Sequence, residues 1–319
     1  MDLPGRGPAG SRRGRALLVG WFSFVHGEAT AGDVLSAEAV QAALAGAGID
    51  SDVAWSPVMC PAGGVRLALV SPRRYTDLVF VCGPAHGQPV RELHDRFAHC
   101  RRVAVGVSVL DPEDPAVAGF DHVIARDAPG ARPLVDLAAG PRPGAVPVAG
   151  IVLTGGQREY GDRRRHERVT AELTAWLLRT DCARLPLDTR MDPRDWRLCA
   201  SPGQLESVMR RLDVVVTTRL HGLVLALKNG VPALAVDPVA GGGKVTAQAA
   251  AWHWPALLPA DGLDADALDR QWAWCLSAAG RGAAGARSGA GSVRPSQLHH
   301  LLRLLRPDGG SGGAAGGSC

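Results

Sequence analysis

Short, continuously apolar runs recur along the chain, and helical patterns separate them. This alternation restricts the fold more than any other feature of the sequence. The runs lie at 16–20, 52–55, 78–82, 103–107, 151–154, 214–218 and 233–236. Their apolarity is continuous rather than alternating, as in parallel strands covered on both faces. Between them, 32–44 carries apolar residues at helical spacing and stops at Gly46 and Gly48. Residues 163–178 start charged and continue apolar through Val169, Leu173, Trp176 and Leu177. Strands alternating with helices make βαβ units and predict a doubly wound α/β architecture.

A length of 319 residues suits about two domains. The stretch "GPRPGAVPVAG" at 140–150 holds three prolines and no periodicity, and a fresh strand follows it. The expected plan is an α/β domain over 15–140, a linker over 141–149 and a second α/β domain over 150–279. Two such halves, each opening on a strand, imply a cleft between them, with ligands outside the carboxyl ends of the strands. The Gly/Pro-rich ends, 1–14 and 306–319, read as flexible tails, and 280–292 reads as mobile for its glycines. A short helix is expected at about 295–306, where Leu298, Leu301, Leu302 and Leu305 follow helical spacing and would pack back onto the body, with a partner-binding helix as the alternative.

Composition excludes several classes. With 46% hydrophobic and 21% charged residues, the chain is not wholly disordered. The net charge of +4 comes almost wholly from arginine, since Lys228 and Lys244 are the lysines among 35 basic residues. No Lys/Arg stripe interleaved with aromatics is present, which argues against nucleic acid. Seven scattered cysteines without C-x-x-C suit a reduced compartment. No signal-like segment and no run of 18 apolar residues occurs, so a cytoplasmic protein without a membrane span is expected.

The segment "VVVTTRLHGLVLALKNGVPALAVD" (214–237) is the most informative. A buried strand leads into a helix over 220–228, which Asn229-Gly230 stops. Arg219 and His221 then sit at the carboxyl end of a strand and in the first turn of a helix. That turn offers free N–H groups and the positive end of the macrodipole, a ready anion site to which Arg219 adds a bidentate fork. The plainer alternative is that Arg219 pairs with a carboxylate and His221 bonds the backbone. A cation beside a helix N-terminus is unfavourable without an anion, which favours a site. After the next strand, "DPVAGGGKV" places Gly242, Gly243 and Lys244 at another helix start, again suited to an anion, with a plain loop and a solvated lysine as the alternative. Its order is not that of a P-loop.

With the Gly-Lys-Val that follows, this segment resembles the signature of the polysaccharide pyruvyl transferase family: T-x-R-L-H, an apolar helix, G-V-P, a strand and a K-V loop. "GDVLSAEAV" from Gly32, "DLVFVCG" at 77–83 and "VIARD" at 123–127 extend the likeness more weakly along the chain. The resemblance implies transfer of a pyruvyl group from phosphoenolpyruvate to sugar hydroxyls, forming a ketal. It also implies a fold like that of the two-domain GT-B glycosyltransferases, two Rossmann-like domains facing a cleft. By position, Arg219 and His221 would be the donor-site arginine and histidine, and Lys244 the motif lysine. The sequence departs from the family at Thr30, where an asparagine is usual, and at "GPAHG" (83–87), a reduced glycine loop. Both lie in the half expected to hold the acceptor, for which Asp33 and Gly32 are candidates.

Phosphoenolpyruvate carries a carboxylate and a phosphate and so calls for more than one fixed cation. Arg158, in the loop after the strand at 151–154, is the expected second clamp. His221 is the first choice for proton transfer, with Arg219 beside it. His94, His99 and Cys100 lack a recognised ligand spacing, so no metal is expected and catalysis should be metal-independent. Gly106-x-Ser108 is not a nucleophile elbow. Trp252, Trp254, Trp272 and Trp274 read as core, with sugar stacking as the alternative. The expected protein is a transferase with phosphoenolpyruvate as co-substrate, no cofactor and a sugar-containing acceptor, self-association being left open. A nucleotide-sugar glycosyltransferase and an inactive binding protein are the alternatives.

Overall fold

The computed structural model describes residues 14–141, 144–288 and 296–305, which form two compact units divided between Pro143 and Gly144. The first unit contains strands β1 (Arg15–Val19), β2 (Asp50–Trp55), β3 (Val65–Arg66), β4 (Asp77–Val81), β5 (Arg101–Ser108) and β6 (His122–Asp127). They form one sheet in the order β3-β2-β1-β4-β5-β6, and the neighbours pair in parallel. Helices α1 (Ala31–Gly46), α2 (Gly87–Arg96) and α3 (Pro115–Ala118) make crossovers. The central strands bury Leu17, Val19, Leu78 and Phe80 on one face and Ala16, Leu18, Val79 and Val81 on the other. Burial on both faces is what the continuous apolar runs require.

The second unit contains β7 (Val148–Val152), β8 (Ala183–Pro186), β9 (Val214–Thr217), β10 (Ala233–Asp237) and β11 (Leu257–Pro259). Its parallel sheet runs β11-β10-β9-β7-β8. Its helices are α4 (His166–Leu177), α5 (Pro202–Met209), α6 (Leu220–Lys228), α7 (Lys244–Ala251), α8 (Ala265–Leu276), α9 (Ala278–Ser288) and α10 (Ser296–Leu305). Both units are doubly wound, Rossmann-like sheets. In each the strand order reverses beside the first strand, between β1 and β4 and between β7 and β9. Such switch points open a crevice at the carboxyl ends of the strands.

Three details differ from the sequence reading. Strand β7 begins at Val148, inside the stretch read as linker. Residues 280–288, read as mobile, belong to α9, where Gly280 and Ala284 are buried. A Cβ on Gly280 would lie 2.2 Å from the Trp274 carbonyl oxygen, so the glycine permits the close approach that seats the helix. The leucines expected to pack back, Leu298, Leu301, Leu302 and Leu305, are each more than 40% exposed. The tail expectations, apart from Gly14, and that for 289–292 fall outside the described residues. No helix among the described residues is long and apolar enough to cross a membrane.

Candidate functional site

Strand β9 ends on hydroxyls that fix the chain around the switch point. Thr217 Oγ1 donates to the Val152 carbonyl at 2.9 Å and accepts from the Arg219 backbone N–H at 2.9 Å. Thr218 Oγ1 accepts the Thr154 N–H at 2.9 Å, tying the end of β9 to the loop after β7. Gly222 lets α6 descend on this junction, since a Cβ there would lie 2.2 Å from Thr217 Oγ1. Arg219 is the N-cap residue of α6 and its side chain does not cap the helix. The first turn therefore keeps donors for an outside anion.

The side chains converge from three loops. Arg219, Leu220 and His221 come from the β9 end, Thr154, Gly155 and Gln157 from the β7 end, and Lys244 from the start of α7. With Thr189 and Arg190 from the loop after β8 they line a cavity of about 450 Å³. Arg190, Arg219 and Lys244 give it three cations, and no carboxylate is among the lining residues. His221 is exposed, and its ring nitrogens make no hydrogen bond to the described residues. Gln157 adopts a left-handed backbone with φ of 60° and its Oε1 lies 2.8 Å from Nε2 of the buried His166. Burial pushes the His166 imidazole below its ordinary pKa, helped by the Arg164 charge. A neutral His166 donating from Nε2 holds Gln157 by its carbonyl and leaves the amide N–H groups for another acceptor.

The structure brings Arg219, His221 and Lys244 together and leaves other candidates aside. Arg158 is exposed and does not line the cavity. Gly242 and Gly243 have their N–H groups engaged already, Gly242 by the Val239 carbonyl at 2.9 Å and Gly243 by Asp237 Oδ2 at 2.7 Å. Asp237, fully buried, also accepts from the Thr246 N–H and hydroxyl, so the protein's own carboxylate caps α7. That removes the glycine loop as an anion cradle and leaves Lys244 as its contribution. Arg190 was not anticipated. The segment "DTRMDPRDWR" pairs Asp188 with Arg190, Asp192 with Arg194 and Asp195 with Arg197, and nothing in that repeat marks its first member as facing a cavity. Trp254 donates to the Ala233 carbonyl at 2.6 Å, and Trp252, Trp272 and Trp274 pack against the same core, away from the cavity lining.

The first unit has its own cavity, about 440 Å³, at the carboxyl ends of β1 and β4. Trp21, His26, Glu28, Asp33 and His86 are among its lining residues. Asp33 also forms a capping box with Thr30, whose hydroxyl donates to Asp33 Oδ2 at 2.8 Å and accepts the Asp33 N–H at 3.2 Å. Threonine thus fills the capping role open to asparagine, so Thr30 leaves the start of α1 intact. Gly32 is not among the residues lining the cavity. Cys82 takes φ of 62°, and Gly83 follows at 68°. Gly83 is needed there, as a Cβ would sit 2.4 Å from Trp21 Cδ1. Arg126 of "VIARD" is structural: it donates to Asp127 at 2.7 Å, Asp136 at 2.6 Å and Ser108 at 2.6 Å.

No curated protein matches the chain. Among solved structures it is similar to the spinosyn rhamnosyltransferase SpnG complexed with thymidine diphosphate, at 12% identity and a TM-score of 0.32, covering 91% of this chain and 100% of that one. It is similar to the spinosyn forosaminyltransferase SpnP at 15% identity and a TM-score of 0.34, covering 91% and 98%. For Acinetobacter baumannii MurG the values are 10% identity, a TM-score of 0.34, and 92% and 99% coverage. Residues 172–238, which run from α4 through β9 and α6 to the end of β10, match the family model described as polysaccharide pyruvyl transferase.

Proposed function

We propose that the cavity of the second unit binds phosphoenolpyruvate and that the protein transfers its pyruvyl group to hydroxyls of a sugar-containing acceptor. The observation that carries this reading is a family-matched segment delivering Arg219 and His221 to a switch-point cavity with three cations and no lining carboxylate. A carboxylate and a phosphate on one small molecule need separate positive partners, and Arg219, Arg190 and Lys244 supply them. The open first turn of α6 adds backbone donors.

The chemistry requires one acceptor oxygen to bond to C2 of the donor while C3 gains a proton and becomes a methyl group. A second hydroxyl bonds to the same carbon as the phosphate leaves, closing the ketal. Of the two hydroxyl protons, one balances the methyl group and the other leaves with phosphate. His221, exposed at the cavity and without a competing partner among the described residues, is the group suited to carry a proton. The first-unit cavity, with Trp21 as an apolar wall and Glu28 and Asp33 as acceptors, is the acceptor candidate.

The test is to incubate the full chain with phosphoenolpyruvate and a panel of glycans, reading phosphate release and ketal formation by mass spectrometry. Parallel arms contain nucleotide sugars instead. Ketal product is expected. Glycosyl transfer without ketal would make the protein a glycosyltransferase, and donor binding without turnover on any acceptor would make it a binding protein. Activity should survive exhaustive chelation.

A further inference from the structure

The guanidinium of Arg219 is held from behind. Its Nη1 donates to Asp188 Oδ1 at 2.6 Å and to Thr189 Oγ1 at 3.0 Å, which engages both protons of that nitrogen. Nε and Nη2 have no acceptor among the described residues. These two atoms form the edge whose parallel N–H vectors match the oxygens of a carboxylate or phosphate. The same Asp188 carboxylate accepts from the Arg190 backbone N–H at 2.8 Å and from Arg190 Nε at 2.7 Å. One carboxylate therefore anchors two of the three cations of the cavity. Asp192 and Asp195 make similar local pairs with Arg194 and Arg197, whose side chains are 87% and 72% exposed. Of the three, Asp188 is the one that also reaches an arginine on a different element, and both side chains of that pair are about one-fifth exposed.

We infer that Asp188, assisted by Thr189, is a positioning residue: it fixes Arg219 through Nη1 so that the Nε–Nη2 edge faces the bound anion. This rests on the reading of the cavity as an anion site. Two other roles for the same carboxylate predict the opposite sign. A negative charge near the ligand, or a resident occupant that the ligand must displace from Arg219, would oppose anion binding, and its removal would tighten it. Geometry favours the bracket, because Asp188 lies on the Nη1 side and leaves the other edge uncovered. Without it, Arg219 would have to lose its rotamer freedom when the anion arrives. Burial alone would raise the Asp188 carboxyl, but hydrogen bonds from Arg190 and the charges of Arg219 and Arg190 outweigh it and hold the group below the usual carboxylate range.

The experiment measures binding of inorganic pyrophosphate and, separately, phosphoenolpyruvate to the full chain by calorimetry at fixed ionic strength. Asp188→Asn should weaken both by about tenfold, and Thr189→Ala by a few-fold. In an Arg219→Gln background the loss from Asp188→Asn should shrink to the part that acts through Arg190, the signature of a residue acting through its partners. In turnover the loss should fall on the donor KM rather than on kcat. Unchanged or tighter binding in Asp188→Asn overturns the inference, as does an equal loss with Arg219 already removed. Should Asp188→Asn fail to fold, unchanged affinity in Thr189→Ala overturns it. Wild-type protein that binds pyrophosphate but not phosphoenolpyruvate overturns the donor assignment and leaves Asp188 to be judged on the pyrophosphate series. Wild-type protein that binds neither overturns both.

Discussion

Arg219 and His221 stand two positions apart, yet their surroundings give them different work. Arg219 is partly buried and braced, with one edge free, whereas His221 is exposed and unbraced. Arg219→Lys keeps the charge and loses the fork, so donor binding should weaken by about 1–3 kcal/mol in a calorimetric titration. His221→Ala should instead lower kcat by about 10²–10⁴ while donor affinity changes much less. Equal effects of the two changes on affinity would show that the histidine binds rather than transfers protons. These two residues were legible because a cation at a helix N-terminus is locally unfavourable, a contradiction visible in one segment of sequence. Arg190 was not legible: its D-x-R context recurs twice more in exposed loop, and only the fold turns the first copy towards the cavity. Arg158 erred the other way. It follows the right strand, but the left-handed turn at Gln157 leaves it in solvent.

At the scale of elements, the sequence announced those whose burial is two-sided. All seven expected strands are present, each built on a run that is covered above and below. The strands that were missed are β3, β6, β8 and β11, which are short or exposed; β8, with sequence ARLP, is exposed at every position. Helix α9 was missed for another reason. Its glycines disfavour a helix locally, but tertiary contacts override that preference: Arg287 donates to the Trp252 carbonyl at 2.7 Å and lies 5.3 Å from the Trp254 ring centroid. The junction of β9 and α6 depends on Gly222, so Gly222→Ala should destabilise the protein by about 1–3 kcal/mol in chemical denaturation, the scale of overpacking. A change near zero would mean that α6 can lift away from Thr217 freely. In the first sheet, the strand ends remote from its cavity are stapled by Arg15, which grips Asp52 at 2.8 Å through two nitrogens, and by Tyr75, whose hydroxyl donates to Asp52 at 2.8 Å. Burial, then the bond to Asp52 and its charge, push the Tyr75 pKa up from 10.0 to about 12. A raised pKa means that the stabilisation is complete below the unfolded value and is lost as pH rises through the folded one. The stability difference between wild type and Tyr75→Phe should therefore be constant up to about pH 10 and shrink towards pH 12. A difference that persists undiminished above pH 12 would show that Tyr75 does not titrate with folding.

On the scale of the whole molecule, each unit encloses its own core. The large cluster of the second unit runs from Ala149 to Ala284, and the two clusters of the first lie between Ala16 and Leu137. A sheet with both faces covered by its own helices meets the physical requirement for independent folding. The second unit also carries every residue lining the cation-rich cavity, from Thr154 to Lys244. Residues 144–305 expressed alone should therefore unfold cooperatively in a thermal melt. That fragment should bind phosphoenolpyruvate within about a factor of five of the full chain, a difference of roughly 1 kcal/mol. It should release no phosphate with any acceptor, because the proposed acceptor cavity, with Trp21, Glu28 and Asp33, belongs to the first unit. Mixing in residues 14–141 tests the converse, since two separate chains must first pay the entropy of association and little turnover should return. A fragment that melts cooperatively but no longer binds the donor would mean that the first unit supplies part of the anion site, and Arg219, Arg190 and Lys244 would then be insufficient for it.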